Sequence, residues 1–274
     1  MRRSSRHGAD IPVIGLGTGG LGDDCAALVA AALTAGYRHI DTARKYGTER
    51  GVGEAIRAAR VPRDEIFLTT KVSHENLHAG DFERSTQASL QALGLDRVDL
   101  LLVHWPAPDM PLPETMGALA AMKRRGLTRH IGVANFNIAL LDEAIRLCPE
   151  PLVALQAEYH AYLDQSKVLE ACRRRGLIFI AYCPLARGRL IGDPAIAEIA
   201  RARGKTTAQI ALRWLIQQDD VAAIPRSASA ARVAENVDVL GFVLADDEMK
   251  RIAALKRPNG RVVNPVGRVS AWDV

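Results

Sequence analysis

Four side chains that could carry out acid–base chemistry stand at or just after the ends of three consecutive apolar segments. Asp41 ends the first segment and Tyr46 follows it by five residues, while Lys71 and His104 end the next two. A nearby ammonium stabilises a phenolate, so Lys71 is expected to lower the pKa of Tyr46 and make its hydroxyl a usable acid. Asp41 would keep Lys71 charged, and His104 could donate a hydrogen bond to a substrate oxygen. These residues predict a site that polarises a carbonyl group and protonates the alkoxide that forms.

The alternative interpretation is that Asp41 and Lys71 form only a structural ion pair inside the protein. The presence of Tyr46 and His104 at the same expected end of the sheet favours the catalytic interpretation. The sequence shows neither a Ser/His/Asp nucleophile arrangement nor a carboxylate pair, so hydrolysis is disfavoured.

A second candidate site lies after the last apolar segment. Arg226 and Ser227 end that segment, Ser229 could cap the next helix, and Arg232 falls in its first turn. The helix dipole disfavours a cation there, and an anion bound at the helix N-terminus would reverse that penalty. These residues predict a phosphate pocket. The alternative is a solvated arginine without a ligand.

Two further motifs have competing interpretations. The run Gly15–Gly20 matches G-x-G-x-x-G and is followed by Asp41, as in a Rossmann dinucleotide-binding unit. His39-x-Asp41, with His104 and His160, could suggest a metal site. We expect neither, because the number of strands does not suit a Rossmann sheet and His39 is expected to pack inward.

The elements that must position these residues alternate along the chain. Most of the apolar segments are continuous, as in parallel strands buried on both faces. Eight strands separated by helices predict an α/β fold of the (β/α)8 TIM-barrel type with an extra helix pair, and active sites of such barrels lie where strands end. No linker divides the chain, so we expect one domain over residues 1–274. The expected strands are Val13–Gly17, His39–Thr42, Ile66–Lys71, Val98–His104, His130–Ala134, Val153–Ala157, Ile178–Tyr182 and Val221–Pro225. The expected helices are 23–35, 49–60, 81–93, 114–125, 138–147, 164–176, 193–203, one capped by Thr206, 229–238 and 245–256.

Composition excludes several classes of partner. Hydrophobic residues make up 48%, and the longest apolar runs, such as Leu100–Val103, are far shorter than a membrane span. The basic start has no apolar stretch behind it, so no secretory signal is expected. Four scattered cysteines predict a reducing compartment.

The charge pattern disfavours binding of nucleic acid. The 29 arginines and 7 lysines exceed the 31 acidic residues by a net charge of +5, but the 13 aromatic residues do not interleave with them as a base-stacking surface requires. The run Arg173–Arg175 is expected at a helix C-terminus.

The order of several motifs resembles the signature segments of the aldo-keto reductases. The resemblance extends from about Pro12 to the end of the chain. It implies a (β/α)8 barrel without metal that reduces aldehydes and ketones with NADPH. The matching segments are GYRHIDTARKYGTERGVGEAI (36–56), LLVHWP (101–106), HIGVANFN (130–137), LQAEYH (155–160), AYCPLARG (181–188) and IPRSASAARVAENVDV (224–239).

The resemblance also implies roles for individual positions. The catalytic residues would be Asp41, Tyr46, Lys71 and His104. The substrate would meet Tyr46, His104, Trp105 and Trp272, with Trp272 on a short tail over the strand-end face. The cofactor would contact Gly17, Thr18, Asp41, Asn135, Gln156, Tyr182, Leu185, Arg226, Ser227, Arg232, Glu235 and Asn236. Within this set Asn135 and Gln156 would hold the nicotinamide carboxamide, Tyr182 would stack on its ring, the two arginines and Ser227 would hold the 2′-phosphate, and Glu235 and Asn236 would contact the adenine.

The sequence departs from the family pattern at four positions. Ala134 and Cys183 replace common serines, Arg226 replaces the usual Lys, and Ser73 stands where many members have an aromatic residue in the substrate pocket. We expect a missing carboxamide hydrogen bond at Ala134 and a wider or more polar wall at Ser73. The segments KVSHENL and GRVVNPVGRVSAWDV look like those of bacterial 2,5-diketo-D-gluconic acid and methylglyoxal reductases.

The leading hypothesis is an NADPH-dependent carbonyl reductase acting on a small-molecule substrate, such as a small dicarbonyl or a keto sugar acid. The alternative is a non-catalytic NADP-binding module on the same barrel, and a Rossmann dehydrogenase is a third possibility. We expect a cytoplasmic monomer that binds neither membranes nor nucleic acid.

Overall fold

Eight parallel strands form one sheet whose spatial order is the order of the chain. The structure is a computed structural model that describes residues 3–269 and 271–273. An N-terminal antiparallel hairpin, β1 (Arg3–Arg6) and β2 (Ala9–Pro12), precedes the sheet. The parallel strands are β3 (Leu16–Gly17), β4 (His39–Asp41), β5 (Phe67–Val72), β6 (Val98–Val103), β7 (Thr128–Ala134), β8 (Leu152–Glu158), β9 (Ile178–Tyr182) and β10 (Val221–Ala223).

The sheet closes on itself between its first and last strands. Ile14 forms a parallel bridge with Ala223, and the Gly15 amide donates a 2.9 Å hydrogen bond to the Ala223 carbonyl. The Ala223 amide in turn donates to the Val13 carbonyl at 2.8 Å. These bonds complete the barrel, so the expected (β/α)8 fold is confirmed and the Rossmann alternative is wrong. The expected strand 13–17 is shorter as a regular strand, β3, because its first half joins β10 only through this bridge.

Helices cover the outside of the barrel. They are α1 (Cys25–Thr34), α2 (Glu49–Ala58), α3 (Ala79–Leu93), α4 (Leu112–Arg124), α5 (Ile138–Leu147), α6 (Ser166–Arg174), α7 (Pro194–Arg203), α8 (Thr207–Gln217), α9 (Ala230–Val237) and α10 (Asp246–Ala253). Helices α7 and α8 both lie between β9 and β10, and α9 and α10 follow β10. Among the described residues, none of the helices combines the length and apolarity that crossing a membrane requires.

Two layers of core follow from the alternation of side chains along each strand. In β6 every residue is buried, with Leu100 and Leu102 in the cluster inside the barrel and Leu101 and Val103 in the cluster beneath the helices. Successive residues of a strand point to opposite faces, so a strand buried on both sides is a nearly continuous apolar run, which Asp99 interrupts in β6. This explains why the continuous apolar segments predicted the strands correctly.

The hairpin β1–β2 closes the end of the barrel at which the strands begin. Ala9 and Ile11 are fully buried and belong to the cluster inside the barrel. Arg6 forms a 2.5 Å ion pair with Asp220, the residue just before β10. The sequence analysis did not predict this hairpin.

The glycine-rich run near β3 serves close packing of the barrel. A Cβ on Gly15 would lie 2.8 Å from the His39 ring, and one on Gly17 would lie 3.0 Å from the Ile224 carbonyl oxygen. Distances under or near 3.0 Å leave no room for a side chain. The glycines therefore let neighbouring barrel strands approach, and they do not form a Rossmann turn.

Three local predictions have clear outcomes. The Thr206 capping box of α8 is confirmed. The Thr206 side chain accepts a hydrogen bond from the Gln209 backbone amide, and the Gln209 side chain accepts one from the Thr206 backbone amide. The basic run Arg173–Arg175 lies at the C-terminus of α6, as predicted. The expected Ser229 cap of α9 is wrong, because its side chain makes no capping bond and its amide instead donates to Ser227 Oγ at 3.2 Å.

Candidate active site

A cavity of about 1150 Å³ opens at the end of the barrel where the strands terminate. Most of the residues predicted to bind or react line this cavity. They are Gly17, Asp41, Tyr46, His104, Trp105, Asn135, Gln156, Tyr182, Leu185, Arg226, Ser227, Arg232, Glu235 and Asn236. The predicted residues Thr18, Lys71 and Trp272 do not line it. The predicted residues in this set come from seven of the eight strand ends, which meet at one place because the barrel is closed.

Asp41 and Lys71 form a buried ion pair beneath the cavity. The Lys71 ammonium lies 2.5 Å from Asp41 Oδ1, and the two side chains are 0% and 2% exposed. Lys71 also donates to the Thr42 carbonyl at 2.9 Å, and Gln156 Nε2 donates to Asp41 Oδ2 at 2.8 Å. Burial opposes the charge on Lys71, but Asp41 and Tyr46 outweigh burial and raise the pKa of Lys71. The lysine is therefore a fixed cation at neutral pH.

Tyr46 lies between this lysine and His104. Its ring centroid is 5.0 Å from Lys71 Nζ, and its hydroxyl is 3.3 Å from His104 Nε2. Burial raises the pKa of the Tyr46 phenol, and Lys71 lowers it by a smaller amount. Lys71 therefore acts on this pKa in the predicted direction, but the net pKa is raised, because burial of the phenolate outweighs the attraction of the ammonium. The phenol is protonated at neutral pH, the state that a proton donor needs.

His104 presents a neutral imidazole to the cavity. Burial holds its pKa well below the ordinary value, and the charges of Lys71 and Lys45 act in the same direction. The backbone of His104 continues the barrel ladder through a 2.9 Å bond from its amide to the Val72 carbonyl. Asn135 Nδ2 donates to the His104 carbonyl at 2.8 Å. A neutral imidazole can hydrogen-bond to a substrate oxygen without releasing its proton.

Asn135 and Tyr182 form a linked pair on the opposite wall. Asn135 has a left-handed backbone conformation, with φ of 65°, which is uncommon outside glycine. The Tyr182 hydroxyl donates to Asn135 Oδ1 at 2.7 Å. Together with the bond to His104, this contact fixes the orientation of the Asn135 amide at the cavity wall.

The arginine end of the cavity lies at the start of α9. Arg226 Nη1 is 3.4 Å from the carbonyls of both Gly19 and Gly20, and its guanidinium is exposed, as is that of Arg232. Ser227 is buried and bonds to the backbone of Ser229, so its hydroxyl holds the turn before the helix. Two guanidiniums beside a helix N-terminus form a strongly positive concave surface.

Glu235 and Asn236 complete that end of the cavity. Glu235 accepts a 2.6 Å hydrogen bond from Thr206 Oγ1, which ties α9 to the N-terminus of α8. Asn236 is 4% exposed. Cys183, also on the cavity wall, has a φ of 49°, and burial raises the pKa of its thiol.

Three predicted contacts lie outside the cavity. Thr18 is fully buried, and its hydroxyl bonds to Thr48 Oγ1 at 3.1 Å. It therefore holds the loop after β4 from a position outside the cavity. Trp272 packs edge-on against Trp105 at 6.2 Å between ring centroids and reaches the cavity only through it. Ser73 is 3% exposed and bonds to a neighbouring glutamate, so it does not form the cavity wall.

The sequence analysis missed several residues that do line the cavity. Lys45 and His74 come from the loops after β4 and β5, Arg187 from the loop after β9, and Pro265 and Arg268 from the C-terminal tail. The two loop residues flank predicted site residues, which was a signal that could have indicated them. No local pattern indicates the tail residues, because their position depends on contacts distant in the sequence.

His39 has a structural position. It is fully buried, its Nδ1 lies 3.2 Å from the Pro12 carbonyl, and its ring packs edge-on against Phe67. Within residues 3–269 and 271–273, no group of three or more His, Cys, Asp or Glu side chains is arranged to hold a metal ion.

The architecture and cavity match a known family of enzymes. A sequence model of the Aldo/keto reductase family matches residues 13–257. The chain belongs to the aldo/keto reductase family. An aldo-keto reductase of Mycobacterium sp. (strain MCS) is 43% identical over 254 residues, which are 92% of this chain and 89% of that protein. The methylglyoxal reductase DkgB of Escherichia coli O157:H7 is 39% identical over 267 residues, 96% of this chain and 99% of DkgB.

Solved structures agree with this assignment. A crystal structure described as a candidate 2,5-diketo-D-gluconic acid reductase B superposes with a TM-score of 0.97 at 45% identity, covering 100% of this chain and 98% of the other. Members of the aldo/keto reductase family use NAD(P)H, and this chain is accordingly an oxidoreductase that reduces carbonyl groups.

Proposed function

We propose that this aldo/keto reductase reduces aldehydes or ketones with NADPH and that Tyr46 supplies the proton. The observation that carries the proposal is the buried group of Asp41, Lys71, Tyr46 and His104 at the base of a large cavity. When bound, NADPH supplies the hydride that reduces the carbonyl carbon.

The four side chains account for the accompanying proton. The neutral imidazole of His104 orients the carbonyl oxygen by a hydrogen bond, and the Tyr46 hydroxyl donates its proton as negative charge grows on that oxygen. Lys71 stabilises the phenolate that remains. Asp41 keeps Lys71 charged and in place at 2.5 Å.

The donors around the cavity fit a dinucleotide phosphate. At one end Arg226 and Arg232 offer guanidiniums that match a phosphate, and this supports NADPH over NADH. At the other end the amides of Asn135 and Gln156 and the ring of Tyr182 suit a flat carboxamide-bearing ring.

The remaining wall supports a small, polar substrate. Lys45, His74 and Arg268 line the cavity near Tyr46, with Trp105 as an apolar surface. These cationic and polar groups favour a small dicarbonyl or a keto sugar acid, in keeping with the names of the relatives above. A non-catalytic NADP-binding module is not favoured, because the acid–base group is assembled. We also propose a single-domain, monomeric, cytoplasmic enzyme. The four free thiols support the cytoplasm, where cysteines stay reduced.

Replacing Tyr46 tests this proposal. Tyr46→Phe should lower kcat for carbonyl reduction by roughly 10²–10⁴-fold, because the general acid is lost. The dissociation constant for NADPH should hardly change. NADPH oxidation with methylglyoxal, a diketogluconate and aromatic aldehydes measures the first quantity, and fluorescence titration measures the second.

Tyr159→Phe provides the matched control. Tyr159 is also a buried tyrosine, but its hydroxyl bonds to Gln218 away from the cavity. It should keep its turnover. If Tyr46→Phe keeps more than a tenth of the turnover of the unmodified enzyme, Tyr46 is not the proton donor.

A further inference from the structure

Glu158 is a fully buried carboxylate that the proposed mechanism does not use. It is the last residue of β8, two residues beyond Gln156, and its side chain is 0% exposed. Its oxygens accept hydrogen bonds from the backbone amides of Val262 at 2.6 Å and Val263 at 2.9 Å, and from His160 Nε2 at 2.9 Å. A buried charge is costly, so a carboxylate with these partners indicates a specific task. That task is to hold the chain beyond α10 against the barrel.

Arg261 extends this contact toward the cavity. Its guanidinium lies 3.7 Å from Glu158 Oε2 and is 11% exposed. The same guanidinium lies 3.6 Å from the centroid of the Trp272 ring. Trp272 packs edge-on against Trp105, which lines the cavity. Glu158 is thereby connected to the cavity wall through one cation and two indole rings.

The tail segment held in this way spans the mouth of the cavity. Val263, Pro265 and Arg268 line the cavity. At the far end, Asn137 Nδ2 donates to the Ala271 carbonyl at 3.0 Å, and the Ile138 amide donates to Asp273 at 2.8 Å. The tail is therefore attached at β8 and again at the N-terminus of α5, with cavity-lining residues between the two attachments.

We infer that Glu158 is a positioning residue that sets which carbonyl substrates are accepted, by holding the C-terminal tail over the cavity. The inference rests on the proposed reductase function. A bulky aldehyde must contact the tail, whereas the smallest dicarbonyl needs only the groups around Tyr46. Release of the tail should therefore weaken binding of large substrates and leave small ones nearly unaffected.

Glu158→Gln tests the inference, since it keeps the shape of the side chain and removes its charge. We expect KM for a bulky aromatic aldehyde to rise by roughly tenfold, the effect of losing one charge-assisted hydrogen bond. KM for methylglyoxal, kcat for both substrates and the dissociation constant for NADPH should change less than about twofold, an effect of only a few tenths of 1 kcal/mol. Glu170→Gln is the matched control, because Glu170 is 63% exposed and pairs with Arg174 on α6.

A second variant covers the case in which Glu158→Gln does not fold. Val262→Pro removes one amide donor from the tail, and Val262 is not among the residues that line the cavity. It should give the same selective rise in KM. Both variants should also be cut faster by trypsin after Arg268 in the tail while the barrel stays intact, which mass spectrometry of the products detects.

Three outcomes would overturn the inference. Unchanged KM for the bulky aldehyde in both variants would show that the tail does not act on the substrate. An equal loss for all substrates, or weaker NADPH binding, would show that Glu158 acts instead through Tyr182, its neighbour across the β8–β9 ladder. A selective rise in KM without faster cleavage after Arg268 would show that the change in KM does not come from release of the tail. If the unmodified enzyme oxidises no NADPH with any substrate, the proposed function itself fails, which is a distinct result.

Discussion

The Asp41–Lys71 pair places a full positive charge inside the barrel directly beneath a tyrosine. Both side chains are removed from water, so neither charge is screened by solvent. The same burial that raises the pKa of Tyr46 strengthens the attraction between Lys71 and a phenolate. The site is therefore arranged to stabilise the phenolate at the moment when the proton leaves, while the resting phenol stays protonated.

Lys71→Met should lower turnover by at least about a hundredfold, because the phenolate left by proton donation loses its counterion. Removal of the cation should also raise the pKa of Tyr46 further. Measurements of kcat across a pH range, corrected for folded enzyme, give the result. The variant should also unfold more readily, since the buried Asp41 carboxylate loses its cation and keeps the hydrogen bond from Gln156.

Lys123→Met is the control for this experiment. Lys123 pairs with Glu150 at 3.0 Å on the outside of the barrel. If Lys71→Met loses stability but keeps its activity per folded molecule, Lys71 belongs to a structural ion pair only.

Arg232→Ala should weaken NADPH binding by roughly ten- to a hundredfold, since a charge-assisted hydrogen bond to the 2′-phosphate is lost. NADH lacks that phosphate, so its affinity should change little. The preference for NADPH should also fall as salt increases, because the guanidinium is exposed. Fluorescence titrations with both cofactors at two salt concentrations measure these effects.

Arg251→Ala serves as the control, because Arg251 lies on α10 and pairs with Glu198. Equal weakening of NADPH and NADH by Arg232→Ala would mean that Arg232 supports the loop and does not distinguish the cofactors.

At the scale of elements, the contact between α2 and α3 depends on one glycine. A Cβ on Gly53 would lie 1.9 Å from the carbonyl oxygen of Leu93, at the end of α3. Glycine in the middle of a helix is intrinsically unfavourable, so its presence in α2 reflects this close approach.

Gly53→Ala should destabilise the enzyme by about 1–3 kcal/mol, because backbone must shift to admit the methyl group. Gly117→Ala in α4 is the matched comparison, since a Cβ there meets nothing within 4 Å. That change should stabilise the protein by about 0.5–1 kcal/mol through helix propensity. Urea unfolding of both variants measures the difference, and a neutral Gly53→Ala would contradict the proposed contact.

The barrel elements were predictable because strand and helix differ in hydrophobic period. Strands buried on both faces are mostly apolar, as in β6, where Asp99 is the one charged residue, and the Thr206 capping box marks α8. The hairpin β1–β2 was not predictable, because its charged four-residue strands carry no clear alternation and gain their burial from the barrel. Ser229 stands at the N-cap position of α9, but its side chain makes no capping bond, and the serine that bonds there is Ser227, through the Ser229 backbone.

The candidate site was predictable only where a side chain follows a strand directly. Asp41, Tyr46 and His104 line the cavity because strand ends converge in any closed parallel barrel. Burial of Thr18 and the position of Trp272 depend on how loops and tail fold over those ends. Contacts between Glu158 and a segment about a hundred residues away leave no local signature.

At the scale of the whole molecule, burial keeps four histidines neutral. It lowers the pKa values of His39, His74, His104 and His130 below the ordinary value. The unfolded chain therefore binds more protons than the folded one below about pH 6.5. Stability from these groups is complete above that pH and is lost as the pH falls toward the folded-state pKa values.

We expect the free energy of unfolding to decrease between pH 6.5 and 5, by up to about 1.4 kcal/mol per pH unit for each histidine. His130→Gln should reduce the slope without touching the cavity, because His130 stacks on Phe67 beneath it. Urea unfolding of the variant and of the unmodified protein at several pH values tests this, and identical slopes for the two proteins would contradict it.

The hairpin that seals the barrel has a practical meaning for anyone who handles this enzyme. β1 begins at the face opposite the cavity, whereas the tail crosses the cavity mouth and is attached to α5. A fluorescent label, an affinity tag or a surface tether joined ahead of Arg3 would project away from incoming substrate. The same addition at the other end would disturb the segment that covers the cavity. Immobilisation through the N-terminal side would therefore orient every molecule with its mouth toward the solution.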